Sequence, residues 1–225
     1  MISLAIFDMA HTTVNDRDEV YRVLREATGR QGAEYTEEQF RQWMGTEKKW
    51  AIRNLLEIGG LEATEELVEQ TWDWFRAELR RTYTEQPPVA LDGVEEMFAI
   101  LRERNIRIAL TTGFNRETVD LILDAMGWEI GQTVDASAAG DEVEAGRPEP
   151  FLIQKVMGEL EVTDPATVIS LGDTSADVLS AQRAGVTSVG VLSGHLSREQ
   201  FAELNADHVL DSAADLPALL AELNR

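Results

Sequence analysis

Asp173 and Asp177, four residues apart, follow the apolar run Val168-Ile169-Ser170-Leu171 and Gly172. On a helix that spacing puts both carboxylates on one side, near the N-terminus. Asp8 closes a second apolar run, Ser3-Leu4-Ala5-Ile6-Phe7, and is followed by Thr12-Thr13. A carboxylate in that place can serve as a nucleophile or as a metal ligand. Hard oxygen donors gathered in this way suit Mg2+, which keeps several waters and recruits a phosphate-like group. Taken singly, each acid also has a plain structural reading, Asp173 as a helix N-cap and Asp177 as part of a solvated helix face. A third apolar run, Ile106-Arg107-Ile108-Ala109-Leu110, leads into Thr111 and Thr112.

These runs, with Val186-Thr187-Ser188-Val189-Gly190-Val191, read as short buried strands. Residues 95–104, 116–126, 150–160 and 176–184 carry apolar residues at three- and four-residue spacing, the helical period. Strands alternating with helices imply an α/β fold, a Rossmann-like parallel sheet covered on both faces. In such sheets the polar residues just past the carboxyl ends of the strands line the ligand crevice. That rule selects Asp8, Thr111, Thr112, Asp173 and Asp177.

Residues 16–86 break the alternation. Their apolar residues fall into helical stripes: Val20, Val23, Leu24 and Ala27, then Phe40, Trp43 and Met44, then Ile52, Leu55 and Leu56. A last group contains Leu67, Trp72, Trp74, Phe75 and Leu79, and the Trp72-Asp73-Trp74-Phe75 cluster reads as domain core rather than a substrate wall. Thr36 and Thr64 are placed to cap helices, the first with Gln39 as in a capping box. The expected organisation is a core of residues 1–15 and 87–225 with an all-helical cap of residues 16–86 inserted after the first strand. Pro87-Pro88 stiffens the re-entry.

The 225 residues include 41 Asp plus Glu against 20 Lys plus Arg, a net charge of −21. Nucleic acid and anionic membranes are therefore poor partners. A 44% hydrophobic content with five Trp and seven Phe excludes intrinsic disorder. The absence of Cys excludes disulfides, thiolate metal sites and a cysteine nucleophile. No stretch reaches about 18 apolar residues, and no basic segment precedes a long apolar one at the start. The expectation is a soluble cytoplasmic protein.

The order Asp8-x-x-x-Thr12, Thr111, Gly146-Arg147-Pro148 and Gly172-Asp173-x-x-x-Asp177 resembles the four motifs of the haloacid dehalogenase superfamily of hydrolases. The resemblance spans essentially the whole chain, and the helical insertion is similar to that superfamily's small cap. Most of its phosphatases carry a second Asp two residues after the nucleophile; Ala10 stands there. Arg147 stands where most members have Lys. Both features resemble the phosphonatase branch, phosphonoacetaldehyde hydrolase and its relatives. That branch uses a cap lysine that forms a Schiff base with the substrate aldehyde. Met44-Gly45-Thr46-Glu47-Lys48 is similar to its Met-Gly-x-x-Lys motif, which brings in Met44 and puts Lys48 at the Schiff-base position.

By that resemblance Asp8 is the nucleophile, and Mg2+ is bound by Asp8, the Ala10 carbonyl and Asp173, with Asp177 in support. Thr111 and Arg147 hold the phosphonyl oxygens, with the Thr112 hydroxyl and the N–H groups at Gly113 nearby. An amine must be neutral to attack a carbonyl, so Lys48 needs a lowered pKa, from neighbouring Lys49 or from desolvation on cap closure. The net negative charge then requires a locally positive pocket built from Arg147, Lys48, Lys49 and Mg2+.

The sequence also departs from the family. The usual Asp-x-Ala-Gly-Thr turn reads Asp8-Met9-Ala10-His11-Thr12, and the cap His found three residues after the lysine is replaced by Ala51. Two readings of His11 are open: an acid/base group that takes over proton transfer near Lys48, or a tolerated residue facing the hinge or solvent. His195 and His208 fall outside every motif. The expected activity is Mg2+-dependent C–P cleavage of a small 2-oxoalkylphosphonate. The alternatives are a phosphatase acting on a small phosphate ester, a catalytically weak phosphate-binding protein, and a metal-free dehalogenase. The family often forms homodimers through the cap, and the apolar Trp and Leu residues there are compatible with that.

Overall fold

The structure, a computed structural model, describes residues 2–223. The chain begins with β1 (Leu4–Asp8), five buried residues, and leaves the core through β2 (Val14–Asn15). Four helices follow: α1 (Glu19–Gly29), α2 (Glu37–Arg41), α3 (Lys48–Ile58) and α4 (Glu65–Glu85). The return is β3 (Val89–Ala90), antiparallel to β2. From there α5 (Val94–Glu103) leads to β4 (Arg107–Thr111), and α6 (Arg116–Met126) to β5 (Ala136–Ala138). Next, α7 (Phe151–Glu159) leads to β6 (Val168–Gly172) and α8 (Ser175–Ala184) to β7 (Thr187–Val191). Finally α9 (Arg198–Glu203), β8 (His208–Leu210) and α10 (Leu216–Leu223) complete the described chain.

The core sheet has six strands in the order β5-β4-β1-β6-β7-β8, with every neighbouring pair parallel. Sequence-adjacent strands run outward in both directions from β1, so the crevice falls at the carboxyl ends of β1, β4 and β6. Register then aligns the candidate residues: Asp8 pairs with Thr111, and Phe7 with Leu171, two residues before Asp173. The four strands expected from apolar runs are present. Strands β5 and β8, three residues each, had no such run to announce them.

The cap helices bury the stripes read from the sequence, including Val20, Val23 and Leu24 of α1, Ile52, Leu55 and Leu56 of α3, and Phe75 and Leu79 of α4. Thr36 caps α2 in a capping box with Gln39, and Thr64 accepts from the Leu67 N–H. Trp72 stacks on Phe75 at 5.6 Å and belongs to this packing. The two linkers are tied together where they pass. The Leu91 N–H donates to the Thr13 carbonyl at 3.0 Å, and the Arg17 guanidinium donates to the Gln86 carbonyl at 2.5 Å. Buried Asp16 accepts from the Tyr83 hydroxyl at 2.8 Å and the Val20 N–H at 3.0 Å, fixing the start of α1 against the end of α4. No helix among the described residues is long and apolar enough to cross a membrane.

Candidate active site

The turn after β1 wraps around one carbonyl. Met9 accepts from the N–H groups of Thr12, Thr13 and Val14 at 3.2, 2.9 and 2.8 Å, and the Thr13 hydroxyl donates to the Asp8 carbonyl at 2.9 Å. The Ala10 carbonyl takes none of these bonds. Position 11 has φ 59°, the left-handed region that favours Gly, and His11 occupies it.

Three carboxylates meet here. Asp8, Asp173 and Asp177 are all buried, each offering an oxygen within 4.8 Å of the others. Asp173 is not the cap of α8: Thr174 is, in a capping box with Asp177, whose carboxylate accepts from the Thr174 N–H at 3.0 Å. Asp177 therefore lies inside the site and not on a solvated face. Burial, reinforced by Asp8 and Asp177, pushes the Asp173 carboxyl well above the usual carboxylate range. Burial raises Asp177 to about 6, against the pull of Arg147.

Arg147, 2% exposed, is the counterion built into the cluster. Its Nη1 lies 2.5 Å from Asp8 Oδ1 and 2.6 Å from Asp177 Oδ1, while Nη2 donates to the Thr111 carbonyl and hydroxyl at 2.6 and 2.7 Å. The planar fork thus fixes the Asp8 carboxylate and the end of β4 together. One polar atom is left over: Asp173 Oδ2 is buried without a hydrogen-bond partner. An orphaned carboxylate oxygen, an idle Ala10 carbonyl and three carboxylates against one guanidinium make an all-oxygen set that fits a hard cation such as Mg2+.

The cap contributes Lys48, the first residue of α3, which is buried. Its Nζ donates to the Thr46 carbonyl at 2.7 Å and lies 5.8 and 5.7 Å from the Tyr21 and Phe114 ring centroids. Burial lowers its pKa to about 8, with Arg147 pushing the same way and Asp8 and Glu47 opposing. Lys49 is not the cause: it turns away to pair with Glu69. Desolvation, the other expected source, is the one observed.

Two glycines let cap and core touch. A Cβ on Gly45 would come within 2.3 Å of Thr174 Oγ1, and one on Gly113 within 2.2 Å of the Thr46 carbonyl oxygen. Thr112, buried beside Gly113, accepts from the Phe114 N–H at 3.2 Å. Gly113 has no positive φ, so its requirement is purely steric. A Gly113→Ala protein should keep its thermal midpoint within a few degrees yet lose at least about tenfold in kcat/KM, because the cap cannot seat and Lys48 is displaced. Unchanged kinetics would show that this contact is not made in the working enzyme.

The space around Met44, Asp173, Thr174 and His195 is only ≈ 30 Å³, room for little more than water. A larger cavity of ≈ 700 Å³ opens on the other side of Arg147, between Glu47, Trp50, Gly146 and Pro148, and does not reach Asp8 or Lys48. The cap is closed over the carboxylates. His11 stacks on Tyr21 at 5.8 Å, with its Nε2 3.2 Å from Asp18 Oδ1 at the cap edge. Ala51 is buried among the cap apolar residues.

Sequence reasoning singled out Asp8, Lys48, Thr111, Arg147, Asp173 and Asp177, and the fold brings them together. It missed Tyr21 and Phe114, the aromatic walls around Lys48. Tyr21 neighbours Val20 but lies off the stripe used to find α1, a weak sign of a second buried face.

The family model for haloacid dehalogenase-like hydrolases matches residues 5–191. The chain belongs to this family. It is 28% identical over 261 residues to the phosphonoacetaldehyde hydrolase of Lactiplantibacillus plantarum, covering 100% of this chain and 97% of that protein. It is 32% identical over 204 residues to that of Bacillus cereus, covering 86% of this chain and 76% of the relative. Among solved structures, a phosphonoacetaldehyde hydrolase like protein from Oleispira antarctica superposes with a TM-score of 0.85 at 26% identity, covering 100% of this chain and 93% of that one. A hydrolase from Pseudomonas syringae gives 0.86 at 22% identity with 98% of both chains covered, a likeness of fold.

Proposed function

We propose that this protein hydrolyses the carbon–phosphorus bond of a small 2-oxoalkylphosphonate of the phosphonoacetaldehyde type. The observation that carries the reading is Lys48, a cap lysine buried at the carboxylate site with its pKa lowered to about 8. A phosphate ester gives such a residue no covalent task. An aldehyde does.

In this reading neutral Lys48 adds to the substrate carbonyl, and the adduct takes up one proton from solvent and loses water, giving a protonated imine. The Asp8 carboxylate, its rotation fixed by Arg147 at Oδ1, attacks phosphorus. The C–P electron pair moves into the imine and leaves an enamine on Lys48. Protonation and hydrolysis of the enamine release the aldehyde and restore the amine, and water cleaves the aspartyl phosphate to phosphate. Asp8, Asp173 and the Ala10 carbonyl, with Asp177 in support, would hold a Mg2+ ion, which would supply positive charge against the phosphonyl oxygens. Arg147 and Thr111 orient those oxygens, with Thr112 and Gly113 beside them. Tyr21 and Phe114 exclude water from the amine. Met44 fills the wall near Asp173, while His11, its Nε2 turned to Asp18 at the cap edge, has no step in this route.

Borohydride trapping tests this. Treatment in the presence of phosphonoacetaldehyde should inactivate the protein and leave a reduced adduct on Lys48. The initial trapping rate should rise with pH and level off above about 8, because the neutral fraction near pH 7 is only about one-tenth at that pKa. Phosphate release without an adduct, or with one on another lysine, would overturn the Schiff-base route and leave ester hydrolysis as the function.

A further inference from the structure

A second group of donor atoms lies at the edge between core and cap. His11 comes from the turn after β1, His195 from the segment between β7 and α9, and Asp18 is the N-cap of α1. One atom joins them: Asp18 Oδ1 lies 3.2 Å from His11 Nε2 and 2.9 Å from His195 Nε2. All three donor atoms fall within 4.8 Å of one another. The rings are held from the side, His11 stacked on Tyr21 at 5.8 Å and edge-on to His195 at 5.3 Å. His11 Nε2 is buried, yet it has no hydrogen-bond partner, because the carboxylate at 3.2 Å is badly angled for one. Asp16 Oδ1 lies 3.6 Å from the same nitrogen, so His11 Nε2 faces two carboxylates with a hydrogen bond to neither, and an ion bound there would satisfy it.

We propose that His11, Asp18 and His195 form a binding site for a divalent cation of the Zn2+ class, separate from the carboxylate cluster. Two imidazoles and one carboxylate are the donor set that Zn2+ accepts and Mg2+ avoids. Bonds of about 2.0–2.2 Å in a tetrahedron place donors roughly 3.3–3.6 Å apart. The spacings of 3.2 and 2.9 Å need only a small outward shift. Asp18 and His195 are partly exposed and free to make it, and their solvent side leaves the fourth position to water. Two ligands belong to the core and one to the first cap helix, so an ion here ties the cap to the core beside the hinge. This inference does not depend on the substrate of the carboxylate site.

The test uses the full chain, stripped with EDTA and then given excess Mg2+ to occupy the carboxylate cluster. Zn2+ is titrated against a chromogenic indicator, and Co2+ in parallel for its visible spectrum. The wild type should take up one equivalent of Zn2+, show the intense visible absorption of four-coordinate Co2+, and gain thermal stability when Zn2+ is added. His195→Asn and Asp18→Asn should each weaken Zn2+ binding by more than the roughly 10–100-fold that follows loss of an outer partner, and should abolish the thermal gain. Asn tolerates the φ of 62° at position 18, where the Asp side chain makes no capping bond, so both variants should unfold like wild type without Zn2+. Equal Zn2+ binding by wild type and variants, or none by wild type under excess Mg2+, overturns the site.

Discussion

A Lys48→Met protein should release phosphate from phosphonoacetaldehyde at least about 10³-fold more slowly than wild type, since the electron sink for C–P cleavage is gone. The same substitution should raise stability. Met fits a slot between Tyr21 and Phe114 and brings no charge into it. The sign follows from linkage. The folded-state pKa of about 8 lies below the ordinary lysine value of 10.5, so the unfolded chain binds the extra proton more tightly. The folded protein carries the full penalty below about pH 8 and sheds it as pH rises toward 10.5, an effect of about 3 kcal/mol. Denaturant curves at pH 7 should therefore favour Lys48→Met by up to that amount, with the gap closing at high pH. A variant that is both inactive and less stable would mean that Lys48 is a packing residue.

Arg147→Met should do the opposite to stability. The guanidinium is buried 2.5 Å from Asp8 and 2.6 Å from Asp177, and its removal leaves three buried carboxylates facing one another. Breaking a buried pair by deleting one partner costs about 3–5 kcal/mol. Urea denaturation in EDTA should show a loss of that size. Adding Asp8→Asn should recover part of it, because one repelling charge is gone, and Mg2+ should stabilise Arg147→Met more than wild type. A loss below about 1 kcal/mol would mean that the cluster is neutralised by proton uptake and that Arg147 is not its counterion.

What the sequence made legible followed from local pattern. Apolar runs ending in Asp8, Thr111 and Gly172 announced three central strands, and because ligands gather at the ends of such strands they also announced the site. Ala136–Ala138 and His208–Leu210 carried no signal, being three-residue strands whose pairing comes from neighbours. At the site, motif spacing led to Asp8, Arg147, Asp173 and Asp177. It left two sources open for the tuning of Lys48, Lys49 or desolvation on cap closure, because the burial that decides between them depends on docking of the cap. Of those two sources Lys49 is not the one used: adjacent residues on a helix point in different directions, and Lys49 reaches Glu69 instead. His195 could not be tied to His11 from sequence, since Asp18 brings them together across three separate segments.

The paired ribbon of β2 and β3 governs how the cap can travel. Two independent tethers would let the helical domain drift and tumble, and each turnover would have to find the docked pose again. Here the tethers are fused by the Thr13–Leu91 bond and by Arg17 gripping the Gln86 carbonyl. The helical insertion is therefore joined to the core through one paired ribbon and not through two free strands. Most of the orientational entropy of docking the helices over the carboxylates is then lost once, when the chain folds.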